Sequence, residues 1–447
     1  MRPRRGALTT VPRVALAVCA VLGAAACGDD DGATRPVVTL FGTLSDADVD
    51  DVDAAFAEFE QRSGIDVRFV ASSGFEDDLV DRLRRGDPPD LALLPQPGLL
   101  QRLVAEGYAL PWEADLAAAA TDGVDRTLVD LVTVGDRVFG SWYQLTVKSL
   151  VWYSPSELDE RGIAVPSTWD DLERITADAA ADASPPWCIG IRAAGATGWV
   201  ATDWVEDLVL RFAGPDVYDG WVARDVRFAD TPVVEAIGRF GDIVLDPQMV
   251  AGGNRAAVEI GVEDSARQFA AGSSCLFHRQ ASFLPRFLDE PATIEPDGDL
   301  WAFPLPPVDG RQAPLVVGGT VIARFRDDAA VDQVAAHLST VEAGVARAEL
   351  GGFLSARDGV SPAAYTNSFD RWLAELVRDA EVVRFDASDQ MPPTVGVGTF
   401  WTGMASWLGG ARLSSVADAI DESWPLIQPR IVIDDRTDTA DAEVPGG

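Results

Sequence analysis

The hydrophobic positions change period several times after residue 36. An apolar run at 37–41, closed by Gly42 and Thr43, predicts a short strand. Ser45 and Asp46 can then cap a helix with Val49, Val52, Phe56 and Phe59 on one face. Residues 65–71 read as a second strand, and 75–85 as a second helix stopped by Gly86 and the Pro88–Pro89 pair. The alternation repeats as a strand at 91–94 and a helix at 99–107. Strands alternating with helices predict a parallel sheet covered by helices, an α/β fold. Ligands of such sheets bind beyond the carboxyl ends of the strands. Residues 42–43, 72–76 and 95–98 occupy those ends, so Thr43 and Gln96 are candidate ligand contacts.

The N-terminus has a different pattern. Arg2, Arg4, Arg5 and Arg13 precede an uncharged apolar run at 14–26, and the run meets Cys27. This predicts a secretory signal peptide over 1–26. The run is too short to span about 30 Å of hydrocarbon. Ala25, Ala26 and Cys27 resemble a bacterial lipobox, in which the cysteine becomes the new N-terminus and carries the lipid; Ala24 stands where Leu is usual. An ordinary signal peptide cut nearby is the other reading. Residues 27–36 then form a lipidated tether, and the mature protein is expected outside the cytoplasm, on the outer face of the cell membrane.

Charge narrows the classes of partner. The formal net charge is -35, and Lys148 is the one lysine in the chain. Such acidity excludes nucleic-acid binding, which needs basic surface to replace counterions. It also excludes adhesion to anionic lipid through the protein surface, leaving the anchor as the sole membrane contact. A chain of 447 residues that is 47% hydrophobic is long enough for two lobes. Cys19 leaves with the signal peptide and Cys27 takes the lipid, so Cys188 and Cys275 remain. In an oxidising compartment this pair predicts one disulfide; two buried free thiols are the alternative. With no CxxC and no Cys/His cluster, neither metal nor other cofactor is expected.

The middle of the chain reads GDRVFGSWYQLTVKSLVWY at 135–153, followed by Ser154-Pro155 and then Pro166-Ser167-Thr168-Trp169-Asp170-Asp171-Leu172. A second stretch, 265–323, contains Phe303-Pro304-Leu305-Pro306 and Val316-Val317-Gly318-Gly319-Thr320. In this order the motifs resemble the extracellular solute-binding proteins (family 1) of ABC importers. The resemblance implies a two-lobed, periplasmic-binding-protein-like (type II) fold with a hinge. One lobe is expected at 37–145 with 315–350, the other at 146–314 with 351–440, and a tail at 441–447. It also implies a monomer that closes on its solute and engages membrane permease subunits.

A narrower likeness runs through Pro186-Trp187-Cys188-Ile189-Gly190, Gly195–Asp203 with Trp204, Glu206-Asp207, His278–Phe283 and Phe385-Asp386-Ala387-Ser388-Asp389. It is similar to the carbohydrate-binding branch associated with α-glucoside uptake, which often pairs the cysteines matching Cys188 and Cys275. Gln390 departs from that branch, where Leu is usual, and this chain is far more acidic. The likeness implies an α-glucoside or related oligosaccharide as ligand.

Sugars are held by aromatic rings stacked on their C–H faces and by carboxylates, amides and arginine at their hydroxyls. Trp199 and Trp401, flanked by Gly198 and Gly398, are the candidate stacking platforms, and Trp142 lies beside the expected lobe crossing. Trp169, Trp187, Trp372 and Trp424 read as core. Asp203, four residues beyond Trp199, is either a hydroxyl acceptor or a solvated acid. Arg279 is either a hydroxyl donor or half of a structural ion pair, and Lys148 either a ligand contact or a hinge salt bridge. Gly319 completes the set at the glycine-rich return.

An enzyme is the rival class. His278 and His337 are the two histidines, and no G-x-S-x-G, H-E-x-x-H, GxGxxG or P-loop occurs. A secreted glycoside-acting enzyme needs two carboxylates, which this acidic chain has in number. A binding protein for a polyol or other non-sugar solute is the remaining alternative. The expectation is a binding protein, not an enzyme.

Overall fold

A computed structural model describes residues 35–425 apart from 44–45, 73, 273 and 309–311. The signal segment, Cys27, nearly all of the tether and the tail lie outside the described residues. The first six elements follow the predicted alternation: β1 (Val37–Gly42), α1 (Asp46–Ser63), β2 (Asp66–Ala71), α2 (Phe75–Arg84), β3 (Leu91–Leu94) and α3 (Pro97–Ala105). Local chemistry explains their limits. In α2 Phe75, Leu79, Val80 and Leu83 are buried on one face, with acids in its first turn and arginines in its last. Pro97 opens α3 at a position where its missing N–H costs nothing.

β1 pairs with β2 and with β3, both in parallel. After a small hairpin, β4 (Thr133–Val134) with β5 (Arg137–Val138), the chain runs through β6 (Gly140–Val147) straight into β7 (Leu150–Tyr153). β7 is the centre of a second, three-stranded antiparallel sheet between β8 (Phe277–Arg279) and β9 (Trp301–Pro304). β10 (Leu315–Arg324) returns to the first sheet and β11 (Val383–Phe385) pairs with its start. The first sheet is therefore mixed rather than parallel throughout, because β10 runs antiparallel to both β3 and β6.

Two hydrophobic cores result. One gathers β1, β2, β3 and their helices and extends to Trp152, Phe269 and Phe369; the other surrounds Trp169, Trp187, Trp204, Trp221 and Phe240. Thr168 caps the helix Trp169–Ala181 by accepting from the Asp171 N–H. Cys188 and Cys275 form a buried disulfide. Trp169, Trp187 and Trp424 lie in the core as expected, and Trp372 packs half-buried at its edge. Among the described residues no helix is long and apolar enough to cross a membrane.

Candidate functional site

The two halves of β10 have different neighbours on one edge. Val321–Arg324 pair with β3 and Leu315–Val317 pair with β11, which leaves Gly318–Thr320 uncovered between them. That gap lies beyond the carboxyl ends of β3 and β11, where ligands of such sheets bind. Gly319 is required there: a Cβ would stand 2.6 Å from the Gln144 carbonyl oxygen and 3.0 Å from the Trp142 ring. A Cβ on Gly318 would strike Lys148 and Thr146, so Thr146 and Lys148 share the strand face above Gly318. Gln96, at the end of β3, hydrogen-bonds Asp389 across the gap. Gly98 lies against the backbone of Asp389 and Met391, where an added Cβ would be 2.6 Å from the Met391 carbonyl oxygen.

One helix, Trp199–Phe212, organises the rest. Its sequence, WVATDWVEDLVLRF, is apolar except at Thr202, Asp203, Glu206, Asp207 and Arg211, and all five are buried. Buried charges persist only when paired. Asp203 accepts from the Lys148 ammonium at 3.2 Å, and the same ammonium bonds Asp386 and lies 3.7 Å from Asp389. Glu206 accepts from the backbone N–H groups of Ala387 and Ser388. Asp207 accepts from Ser149 Oγ at 2.7 Å, from Arg279 Nη2 at 2.7 Å and from Arg211. Ser149 Oγ in turn accepts from the Val316 N–H. The segments 147–149, 314–317 and 385–388, which pass between the cores, are thus tied to one helix.

The electrostatics reflect crowding. Burial pushes the Asp203 carboxyl up to about 6, Lys148 opposing and Asp386 adding to the rise. Glu206 and Asp389 are also raised well above the carboxylate range, by burial first and by neighbouring acids second. Asp386 feels the same burial, but Lys148 and its hydrogen bonds outweigh it, so its pKa falls. Burial disfavours the Lys148 ammonium, yet the surrounding carboxylates hold its pKa well above the usual value. Asp203, Glu206 and Asp386 offer oxygens within 4.8 Å of one another, a spacing that suits a metal ion. Lys148 bonds two of the three, so an ammonium already supplies the cation.

The sequence-selected residues fall into two groups. Lys148, Asp203, Arg279 and Gln96 converge on the cluster, Arg279 as a structural cation 1% exposed. Trp199 is half-buried, its ring 6.1 Å from Phe283. Gly198, with φ +113°, lets the chain press against the backbone of Trp401, also half-buried. Phe283 borders a cavity of about 350 Å³ whose lining includes Gln144, Thr146, Ser282, Arg286 and Asp370. Trp142 stands apart: it is 2% exposed, packs on Phe385 and donates to the Leu128 carbonyl. Thr43 is exposed at the end of β1. Glu206, Asp207, Asp386, Asp389 and Phe283 were not singled out from the sequence as site residues. A signal existed for the acids of the helix, since charges in an otherwise apolar helix must meet partners inside the fold.

The comparisons with known proteins agree with this geometry. Residues 46–338 match the family model of bacterial extracellular solute-binding proteins. The chain is 38% identical over 401 residues to the osmoprotective compounds-binding protein GgtB of Synechocystis, covering 89% of this chain and 94% of that protein. It is 33% identical over 402 residues to the alpha-glucosides-binding periplasmic protein AglE of Rhizobium meliloti, covering 88% and 87%. Among solved structures, the solute receptor AcbH superposes with TM-score 0.73 at 15% identity over 87% of this chain and 98% of that one. A chitin oligosaccharide binding protein gives 0.72 at 17% identity, over 86% and 97%. These last two establish the shared two-lobed α/β fold. The chain belongs to the bacterial extracellular solute-binding proteins. It is a binding protein rather than an enzyme, and it works outside the cytoplasm.

One buried group gives a pH test of stability. Burial lowers the His278 imidazole to about 4, with Arg279 adding and the bond from Nδ1 to the Cys188 carbonyl opposing. The unfolded chain protonates near 6.5, so His278 contributes stability above that pH and loses it as pH falls from 6.5 to 4. The full effect is about 3 kcal/mol. Asp203, raised to about 6, has the opposite sign: its contribution is present at low pH and lost as pH rises from 4 to 6. Comparison with His278→Asn isolates the histidine. Urea unfolding at pH 7 and pH 4.5 should show the wild type losing at least about 2 kcal/mol more than the variant; equal losses refute the assignment.

Proposed function

We propose that this protein is the lipid-anchored solute-binding component of an ABC importer and that it captures an α-glucoside or related polyhydroxylated solute by hinged closure. The observation that carries the reading is the Trp199 ring beside Phe283 at the start of the helix that carries Asp203, with the Trp401 backbone against Gly198. Rings take the C–H face of a sugar while Gln96, Asp389 and Lys148 meet its hydroxyls. Two relatives, named for osmoprotective compounds and for alpha-glucosides, support a small polyhydroxylated ligand. The lobes are 37–145 with 315–350 and 146–314 with 351–440. The solute spans both lobes in the closed form, which the permease subunits recognise. Cys27 carries the lipid, and the protein acts as a monomer.

A thermal-shift screen against maltose, trehalose, sucrose, other glucosides, polyols and non-sugar controls tests the reading, because a ligand of the folded state raises the midpoint. Calorimetry on the best ligand should then show Trp199→Ala and Trp401→Ala each weakening binding at least about tenfold, the scale of one lost stacking contact. Unchanged affinity in both variants, or no response to any sugar or polyol, would reject it.

A further inference from the structure

We propose that the cavity bordered by Phe283 is a site for one further polyhydroxylated unit, so that the protein selects a two-unit glycoside over a single sugar, with Gln144 as the residue that reads the second unit. This rests on the sugar-binding reading above and narrows its substrate class.

The cavity, about 350 Å³, stands at the small end of the range for ligand sites, about 300–1,000 Å³. One side of it is β6, whose side chains alternate between faces. Leu145 is buried in the first core, and Gln144 and Thr146 flank it on the opposite face of the strand, in the cavity lining. Gln144 is 8% exposed, yet its side-chain amide makes no hydrogen bond among the described residues, and neither does the Thr146 hydroxyl. A buried amide brings two donor hydrogens and an acceptor oxygen that need partners. Neighbouring hydroxyls of one polyhydroxylated unit meet both kinds, because each hydroxyl donates and accepts.

Arg286 and Asp370, also in the lining, are committed to holding the wall. Arg286 donates to the Gly352 carbonyl, and Asp370 accepts from the Asn367 amide and the Gly352 N–H. Gln144 and Thr146 are therefore the side chains with hydrogen bonds to give.

Phe283 joins the cavity to the Trp199 site. It belongs to the cavity lining, and its ring is 6.1 Å from that of Trp199. Trp199 packs on the second core, whereas Phe369 and Leu373 of the lining belong to the first. A two-unit solute that reaches across Phe283 rests on both cores. A single unit on Trp199 leaves the cavity, and with it the Gln144 amide, unmet.

The test compares methyl α-glucoside, one unit, with maltose, trehalose and sucrose, two units each. Calorimetry at pH 7 should show the best disaccharide binding at least about tenfold tighter than methyl α-glucoside. In Gln144→Leu, shown folded by its thermal melt, the ratio of the two affinities should fall at least about threefold, the scale of one lost neutral hydrogen bond. Where methyl α-glucoside gives no signal, the disaccharide affinity itself should fall by that factor. Thr146→Val, nearly the same in shape, should lower the same quantity. Methyl α-glucoside binding as tightly as every disaccharide overturns the proposal. A value unchanged in both variants overturns the role of the cavity, which then holds water alone. If none of the four sugars binds the wild type, the α-glucoside reading itself falls.

Discussion

Lys148→Met should cost about 3–5 kcal/mol of stability, the scale for removing one partner of a buried ion pair. The methionine fills much the same volume, so the loss isolates the charge. Three carboxylates, of Asp203, Asp386 and Asp389, would face one another with their shared ammonium gone. A domain holds only about 5–15 kcal/mol in total, so the variant would sit near its folding threshold. The pH dependence has a definite sign. Without Lys148 the pKa values of Asp203 and Asp389 rise further and Asp386 loses the cation that lowers its own, and a raised folded-state pKa contributes stability at low pH that is lost as pH rises. Lys148→Met should therefore recover relative to the wild type on acidification from pH 7 to 5. Urea unfolding at both values checks this; a loss below about 1 kcal/mol at pH 7 would show that the cluster compensates without its lysine.

Replacing both Cys188 and Cys275 by alanine should cost about 4–5 kcal/mol, the chain-entropy value for a loop of this length. The bond joins residues 87 apart and is buried. It also holds the cluster, because Cys275 leads into β8, which carries His278 and Arg279, and the Cys188 carbonyl pairs with His278. Urea unfolding of the variant, and of wild type under reductant, should give matching losses. A cost below about 1 kcal/mol would mean that the reduced chain remains restrained by its two cores.

Much of the fold was legible in the chain because it is written locally. The first three strands and helices follow from runs of apolar residues and their Gly, Pro and Ser punctuation, and Thr168, inside a quoted motif, caps the helix that follows it. The reversed direction of β10 between β3 and β6 was not legible, since strand direction is set by where the chain crosses between cores. The site was legible by residue but not by relation. Lys148 and Asp203 each stood out, and each kept two readings. Their meeting with Asp386, 238 positions from Lys148, has no trace in any local period. Trp142 drew notice from its place beside the expected lobe crossing, but β6 turns its ring onto Phe385 inside the fold. Phe283 was noted in the His278–Phe283 likeness but not as a site residue, because one aromatic residue in a loop shows no period until a ring such as Trp199 is placed beside it.

The binding of those three segments to the helix Trp199–Phe212 determines where the molecule is able to bend. Ser149, Val316 and Ala387 are clamped on that side by short hydrogen bonds. The proposed closure would then be absorbed on the other side, where Gly318 and Gly319 pair with β6 but have no neighbour on the β3–β11 edge and the β6–β10 register slips between Thr320 and Val321. In that closure the helix would be the fixed bearing, and the glycine pair with its irregular neighbour the flexure. Stiffening Gly318–Thr320 would alter how readily the protein opens, whereas softening the charge cluster would alter whether it stays folded.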